Sequence, residues 1–217
     1  MNRIEKASPI LALLRRYEAP AAAAKAQGVP SSYEVVYSGI PAKHRTKALL
    51  TTYTVKEILE WQGFVVANGA ASSAAGAYQI IRKTLVGLNL PATRIFDATC
   101  QDECALRLLD MRGWAKVEAG DMAPEDFADQ LAREWASMPV LKAQKGQKRW
   151  VQRGESYYAG DGLNAAHASP EEVMAAIRAA LVVPAPLPPA SPDLTAWLAE
   201  GRRLHAALGE WLAQAPT

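Results

Sequence analysis

Glu18 is the residue whose position in this sequence most clearly suggests chemistry. It ends an apolar, helix-like run and stands just before Ala19-Pro20, and because a proline disfavours helical geometry at the residue before it, Glu18 falls in the last turn or at the helix end. The partial negative charge of a helix C-terminus and the apolar neighbours Leu14 and Tyr17 both disfavour the carboxylate, which raises its pKa. A carboxyl group that stays protonated near neutral pH can act as the general acid that protonates the departing oxygen of a glycosidic bond.

Further short stretches accompany Glu18 in a fixed order along the chain. They are Tyr33-Glu-Val-Val-Tyr-Ser-Gly39, Gly76-Ala-Tyr-Gln79, Trp135-Ala-Ser-Met-Pro139 and a loop from Ser156 to Asn164. In kind, order and spacing, the stretches between residues 8 and 140 resemble the lysozyme superfamily, and most of all the lambda-type endolysins of phages. The loop at 156–164 resembles phage-type and prophage-encoded cell-wall lytic proteins.

This resemblance implies a peptidoglycan glycosidase that needs no cofactor and no metal. It would bind the glycan strands of the cell wall and cleave the β-1,4 bond between N-acetylmuramic acid and N-acetylglucosamine. Glu18 would be the general acid, and Glu34 would occupy the family's second acidic position, where it would steady positive charge developing on the sugar. Gln79 would hydrogen-bond the substrate or orient the acid. The substrate-binding residues implied by the resemblance are Tyr37, Gly76, Tyr78 and Gln79.

The resemblance leaves two questions open: how the bond is broken, and whether the chain is an enzyme at all. Two departures from the family pattern, together with the added C-terminal helix, raise the second question. Ala19-Pro20 replaces a polar, glycine-containing continuation after the catalytic Glu, and Ala77 replaces the usual Arg. The bond could be broken by water, as in a muramidase, or by the 6-hydroxyl of the sugar itself, as in a lytic transglycosylase, which the lambda-type resemblance favours. The alternative to an enzyme is a non-catalytic lysozyme-like module that binds or builds part of a phage or gene-transfer particle.

Capping signals and hydrophobic periodicity predict a mainly α chain with one short β element. The resemblance implies that these elements form a lysozyme-like (α+β) fold, in which a small β-hairpin lobe makes one wall of a substrate groove. The β-favouring stretch 33–37 is predicted to supply the hairpin, while 19–32 and 142–168 have loop-like composition. The predicted helices cover 8–18, 54–66, 77–88, 97–112, 124–138 and 169–182.

The chain is predicted to divide into three parts. Residues 1–182 form the lysozyme-like domain, 183–192 form a linker with five prolines, and 193–217 form an amphipathic helix. This last helix is predicted to fold back on the domain, or to dock on a partner or a membrane surface. Its apolar stripe consists of Leu194, Trp197, Leu198, Leu204, Leu208, Trp211 and Leu212.

Composition and charge exclude several classes of function. A net charge of +2 over 217 residues does not identify a nucleic-acid-binding protein, which carries a clustered basic surface. No apolar run is long enough for a stable membrane span, and the apolar run near the N-terminus is too short for a signal peptide. We therefore expect synthesis in the cytoplasm and action at the cell wall or periplasm, or from a phage particle.

Two remaining sets of chemically active residues are predicted to be inert. Cys100 and Cys104 lie four residues apart on one face of a predicted helix, which is typical of small buried thiols, and no histidine stands near enough in sequence to complete a metal site. His44, His167 and His205 are scattered along the chain without ligand spacing, and we interpret all three as non-catalytic.

Overall fold

The computed structural model describes residues 2–162, 164–182 and 198–206. The chain divides into two compact units, Met1–Val182 and Val183–Thr217. The described helices and strands of the first unit are α1 (Arg3–Glu18), α2 (Ala21–Gln27), α3 (Val55–Ala67), α4 (Arg82–Gly87), α5 (Ala98–Met111), α6 (Trp114–Ala119), α7 (Pro124–Leu131), β1 (Gln144–Lys145), β2 (Trp150–Val151) and α8 (Pro170–Leu181). Short 3-10 turns cover Ser32–Glu34, Ala42–His44 and Leu50–Thr52. The predicted fold class, mainly α with a small antiparallel hairpin, is confirmed.

Three helices begin at the capping signals from which they were predicted. The Thr54 side chain accepts a hydrogen bond from the N–H of Glu57, and the Glu57 carboxylate accepts one from the N–H of Thr54, which together start α3. Ser169 and Glu172 form the same capping box at the start of α8. The Asp97 side chain caps α5 by accepting a hydrogen bond from a backbone N–H of its first turn.

The first helix, α1, begins before the predicted start at Ser8. Asn2 and Glu5 form a capping box, so the helix starts at Arg3 and Pro9 lies inside it. The sequence had suggested the proline as the first helical residue, but the reciprocal cap nearer the N-terminus overrides that signal. The helix ends at Glu18 as predicted and packs against α5 and α8. Its buried side chains are Ala7, Ile10, Leu11, Leu13 and Leu14.

The β element is not where it was predicted. Ser32–Glu34 is a 3-10 turn, and within the predicted strand 33–37 only Val36 pairs, through an isolated antiparallel bridge to Ala75. The described two-stranded sheet is instead β1–β2, which lies inside the segment 142–168 that was predicted to be a loop. The Val-Val pair of 33–37 is buried all the same, and this burial explains its β-like composition.

The segment 76–81 is a tight turn and not the start of a helix. Ala75 bridges to Ile80 across it, and α4 begins only at Arg82. Gly76 has a φ of +77° and Gln79 a φ of +48°, and neither value belongs to a right-handed helix. The predicted helix start at Ala77 is therefore wrong.

Two further boundaries differ from prediction. α7 ends at Leu131, well before the predicted end at Met138. The chain continues in turns, in which the Trp135 N–H donates to the Leu131 carbonyl. Phe127, Leu131 and Trp135 are nevertheless all buried, so their helix-like spacing continued past the helix itself. The predicted loop 19–32 contains α2. This helix ends at Gln27 and is capped by Gly28, which has the left-handed conformation.

The described part of the second unit is the helical range 198–206. Leu198 and Leu204 are both exposed on it. The predicted linker and the remainder of the predicted C-terminal helix lie outside the described residues. None of the helices described is both long and apolar enough to cross a bilayer. Cys100 and Cys104 are free thiols buried in the core of the first unit, as predicted.

Candidate functional site

A cleft of about 580 Å³ lies at the C-terminal end of α1. Several parts of the first unit form its wall. They are the end of α1, part of α2, the segment 35–38, the region 71–84, Leu108 of α5, the segment that follows α7 and the segment that precedes α8. The wall carries several side chains that could bind a sugar or transfer a proton, and they are Tyr17, Glu18, Tyr37, Ser38, Tyr78, Gln79, Glu134, Trp135, Ser137 and His167.

Glu18 is half-buried in this cleft as the last residue of α1. The hydroxyl of Ser137 donates a hydrogen bond to Glu18 Oε1. Burial raises the pKa of Glu18 above its ordinary value of 4.5, while hydrogen bonds from the hydroxyl and the backbone N–H of Ser137 act in the opposite direction, and burial has the larger effect. Burial thus favours the protonated form of the carboxyl group more than it is favoured in water, while Ser137 stabilises the ionised form.

Ser137 is itself held firmly. Its carbonyl oxygen accepts hydrogen bonds from the N–H groups of His167 at 2.8 Å and Ala168 at 3.2 Å. The neighbouring carbonyl of Ala136 accepts a hydrogen bond from the Ser156 hydroxyl at 2.8 Å. Because α7 stops at Leu131, the chain can turn and present Ser137 to the end of α1.

Glu34 is not brought to the Glu18 cleft. It is buried, and both of its carboxylate oxygens accept hydrogen bonds from Thr51: Oε1 from the hydroxyl at 2.6 Å and Oε2 from the backbone N–H at 3.3 Å. These contacts tie the 3-10 turn at 32–34 to the one at 50–52. The structure therefore gives Glu34 a visible role in holding two turns together, and Glu34 does not line the cleft.

Glu134 is the carboxylate, besides Glu18, that lines the described cleft. Its Oε2 accepts a hydrogen bond from Arg112 Nε at 2.8 Å, and Arg112 Nη2 lies 2.7 Å from the same oxygen in an ion pair. Both contacts go to Oε2, so Oε1 is not engaged by Arg112. The sequence pattern missed Glu134 because it stands in the stretch that was predicted to be helical and only the early end of α7 places it in the cleft.

Tyr78 touches the cleft but is almost completely buried. Its hydroxyl donates to Asp102 Oδ1 at 2.5 Å and accepts from Arg15 Nη1 at 2.6 Å, and the Tyr33 hydroxyl donates to the same Asp102 oxygen at 2.9 Å. Burial and the Asp102 carboxylate raise the pKa of Tyr78 far above its ordinary value. The hydroxyl is thus used inside the protein, and the Trp135 indole N–H also donates to the Tyr78 carbonyl.

Gly76 shapes the cleft without lining it. A Cβ atom at this position would overlap with the side-chain oxygen of Gln101, and the φ of +77° also favours glycine. Gln101 Oε1 accepts a hydrogen bond from the N–H of Ala77 at 2.9 Å, and the N–H of Gly76 donates to the Val35 carbonyl at 2.8 Å. The glycine lets the turn approach α5 closely enough for these bonds.

Gln79 and Tyr37 both line the cleft, and their binding of substrate stays a prediction. The side-chain nitrogen of Gln79 donates to the carbonyls of Val35 at 3.1 Å and Gly76 at 2.9 Å. No described residue donates to Gln79 Oε1, so this oxygen is the part of the side chain able to accept a hydrogen bond from a sugar hydroxyl. The backbone N–H of Tyr37 donates to the Ala74 carbonyl at 2.9 Å, which joins the two walls behind the side chain.

The three histidines lie in different places. His167 lines the cleft next to the Ser137 segment, and nothing in its sequence spacing indicated this. His44 lies on the 3-10 turn Ala42–His44, and His205 lies in the helical range 198–206 of the second unit. That all three are non-catalytic stays a prediction.

The sequence model of the endolysin family matches residues 11–162. The chain belongs to the endolysin family. The matched range includes Glu18, the turn at 76–79 and the Ser137 segment, and the predicted resemblance of the chain to phage endolysins is confirmed. The family gives the chain a cell-wall lytic role of the phage type, with peptidoglycan as the substrate. Comparisons with curated proteins and with solved structures gave no significant match.

Proposed function

We propose that the chain cleaves the β-1,4 bond between N-acetylmuramic acid and N-acetylglucosamine in peptidoglycan, with Glu18 as the general acid. The observation that carries this proposal is the half-buried Glu18 carboxyl group in the cleft, with its raised pKa and its hydrogen bond from Ser137. A general acid must hold a proton near the pH at which the enzyme works and must face the substrate. Glu18 faces the cleft, and burial raises its pKa in the direction that the first condition requires.

The proposed reaction begins with transfer of the Glu18 proton to the glycosidic oxygen. The bond between that oxygen and the anomeric carbon breaks, its electron pair stays on the oxygen, and positive charge develops on the sugar ring. Glu18 is then a carboxylate, which the hydroxyl and backbone N–H of Ser137 stabilise by donating to it. Glu18 can next accept the proton of the attacking group, which returns it to its starting state.

The attacking group is either water or the 6-hydroxyl of the same muramic acid residue. Water leaves a reducing end, as in hydrolysis, and the 6-hydroxyl leaves an anhydro end, as in transglycosylation. Hydrolysis normally uses a second carboxylate on the cleft. In this proposal Glu134 replaces Glu34 in that position, because Glu134 lines the cleft and Glu34 is engaged by Thr51. Gln79 and Tyr37 contact the sugars.

The proposal is tested by clearing of peptidoglycan suspensions by the purified wild type and two variants. Glu18→Gln keeps the size of the side chain but cannot donate the proton, so we expect about a 10²- to 10⁴-fold loss of rate. Glu34→Gln is the matched control: it should lower the melting temperature through the Thr51 contacts and keep the rate of the folded protein within about threefold.

Full activity of Glu18→Gln would refute the assignment of the acid. A wild type that is folded, binds the cell wall and releases nothing would favour the non-catalytic module over the enzyme. The proposed reaction takes place at the cell wall, since the substrate lies there.

A further inference from the structure

Residues 43–47, Lys-His-Arg-Thr-Lys, concentrate positive charge on one short loop, here called the basic loop. No Asp or Glu occurs in the sequence between Glu34 and Glu57. The chain as a whole has a net charge of only +2, so the basic loop is a local feature and not part of a generally basic protein. Such a local concentration attracts anions from solution.

The basic loop has a defined backbone. It continues from the 3-10 turn Ala42–His44. The indole N–H of Trp61 donates to the His44 carbonyl at 2.9 Å, and the His44 ring meets the Phe64 ring edge-on at 5.3 Å between centroids. Arg45 Nε donates to the Ile40 carbonyl at 3.3 Å. The loop is thus fixed on α3, and a ligand would not have to order it.

The three cations of the basic loop have no ion-pair partner among the described residues. Lys43 and Lys47 are exposed and Arg45 is half-buried. The loop that follows β2 differs in this respect, since Arg153 there pairs with Glu171 at 2.6 Å. The charges of the basic loop are therefore free to meet an external anion.

The basic loop lies next to the cleft wall in the chain. Tyr37 and Ser38 line the cleft, and the N–H of Ile40 donates to the Tyr37 carbonyl at 3.0 Å in a turn that leads to the loop. Lys43 follows Ser38 by five residues, which span at most about 18 Å. A polymer lying in the cleft would carry groups on its neighbouring repeats within reach of these cations.

We propose that the basic loop binds the free carboxylates of the peptide stems of peptidoglycan. The inference rests on the proposed function, because it takes the glycan strand to lie in the Glu18 cleft. The sugars of the strand are neutral, whereas each peptide stem carries carboxylates a few bonds away from the muramic acid. Attraction between these carboxylates and the loop speeds capture of the strand and lowers KM, while kcat stays unchanged because the loop does not touch the reacting bond.

The test uses soluble glycan fragments with intact stems, either native or with their carboxylates converted to amides by carbodiimide and ammonia. For the wild type we expect kcat/KM to be about tenfold lower on the amidated fragments, the combined effect of a few exposed ion pairs. The triple variant Lys43→Gln, Arg45→Gln, Lys47→Gln should have a kcat/KM on native fragments about tenfold lower than that of the wild type. On amidated fragments its kcat/KM should equal that of the wild type. Added salt should weaken the wild type towards the variant.

The matched control removes the same charge elsewhere. Lys116, Lys145 and Lys148 are exposed, have no ion-pair partner among the described residues and do not line the cleft. Changing all three to Gln should leave kcat/KM on native fragments within about twofold of the wild type, because distant exposed charges are screened by salt.

The outcomes separate the inference from the proposed function. If the wild type cleaves neither substrate, the proposed function fails and the inference falls with it. If the wild type cleaves both equally well, or the two triple variants lose activity equally, the proposed function stands and the inference is overturned. Loss of binding to vesicles of phosphatidylglycerol by the basic-loop variant, with unchanged kcat/KM on both fragments, would instead identify the loop as a surface for lipid phosphates and overturn the proposal.

Discussion

Replacing Ser137 by Ala removes the side-chain hydrogen bond to Glu18, the proposed general acid, while leaving the cleft otherwise unchanged. A hydrogen bond to a charged group stabilises it by about 1.5–3 kcal/mol, and Glu18 becomes charged as it gives up its proton. If about half of this charge has formed in the transition state, the barrier rises by about 0.75–1.5 kcal/mol, which is roughly a 4- to 13-fold fall in kcat. The backbone N–H of Ser137 remains as a donor, so the loss should not be complete.

The same change should alter the dependence of the rate on pH. The Ser137 hydroxyl opposes the rise in the Glu18 pKa that burial produces, so its removal raises that pKa further. In the proposed mechanism the active enzyme holds the proton on Glu18, so the rate should fall as pH rises through this pKa. The alkaline limb of the kcat profile of Ser137→Ala should therefore move to higher pH, measured by the release of reducing or anhydro ends.

A serine elsewhere in the cleft provides the control. Ser38 lines the cleft and has no described contact with Glu18, so Ser38→Ala should leave the alkaline limb where it is. If the alkaline limb of folded Ser137→Ala stays in place or moves to lower pH, the Ser137 hydroxyl does not lower the pKa of Glu18.

Three further predictions concern stability. Burial raises the pKa of Glu18, so its ionisation opposes folding. Near pH 7, Glu18→Gln should therefore have a higher melting temperature than the wild type in calorimetry. This difference in melting temperature should disappear as the pH falls below 4.5, where the carboxyl group is protonated in both the folded and the unfolded chain. Gly76→Ala should lower the free energy of unfolding in urea by about 2–4 kcal/mol, because the residue has a positive φ and the added Cβ would overpack against Gln101. The control Gly69→Ala has a φ of +89° and open space around it, so it should lower the free energy of unfolding by only about 1–2 kcal/mol. Equal losses in the two variants would contradict the close approach of the turn to α5. Tyr78→Phe should lower the free energy of unfolding by about 1–3 kcal/mol through the Asp102 network and leave KM unchanged, and a raised KM with full stability would show that Tyr78 contacts substrate.

The features that could be predicted from the sequence are those set by local interactions. Glu18 lies at the end of α1 because the following Ala19-Pro20 stops the helix, and Thr54, Asp97 and Ser169 begin the helices for which their side chains provide the caps. These signals act over one turn of a helix and need no knowledge of the rest of the fold. The family resemblance rested on the same short motifs.

The features that could not be predicted depend on contacts between distant parts of the chain. Ser137 meets Glu18 across 119 residues, and it does so only because α7 ends early. The left-handed conformation of Gln79 is imposed by the bridge between Ala75 and Ile80, since glutamine has no preference for it. A periodic pattern reports that a residue is buried and does not report which element buries it.

Glu34 and Glu134 also show that contacts between distant parts of the chain could not be predicted from short motifs. Glu34 had the sequence context of a second catalytic carboxylate, and the structure engages it with Thr51 away from the cleft wall. Glu134 had no such context, and the turn after α7 brings it into the cleft. The motif resemblance therefore identified Glu18 as the candidate general acid. The second carboxylate of the cleft, Glu134, could be recognised only from the tertiary structure.

The proposed role of Glu18 as the acid in cleavage of the glycan strand is best tested by mass spectrometry of the fragments released from purified peptidoglycan. We predict that the wild type releases disaccharide peptides cut at the muramic acid β-1,4 bond, with either reducing or anhydro ends, and that Glu18→Gln does not. Fragments with intact glycan strands and cut amide or peptide bonds, or the same glycan fragments from Glu18→Gln, would contradict this role.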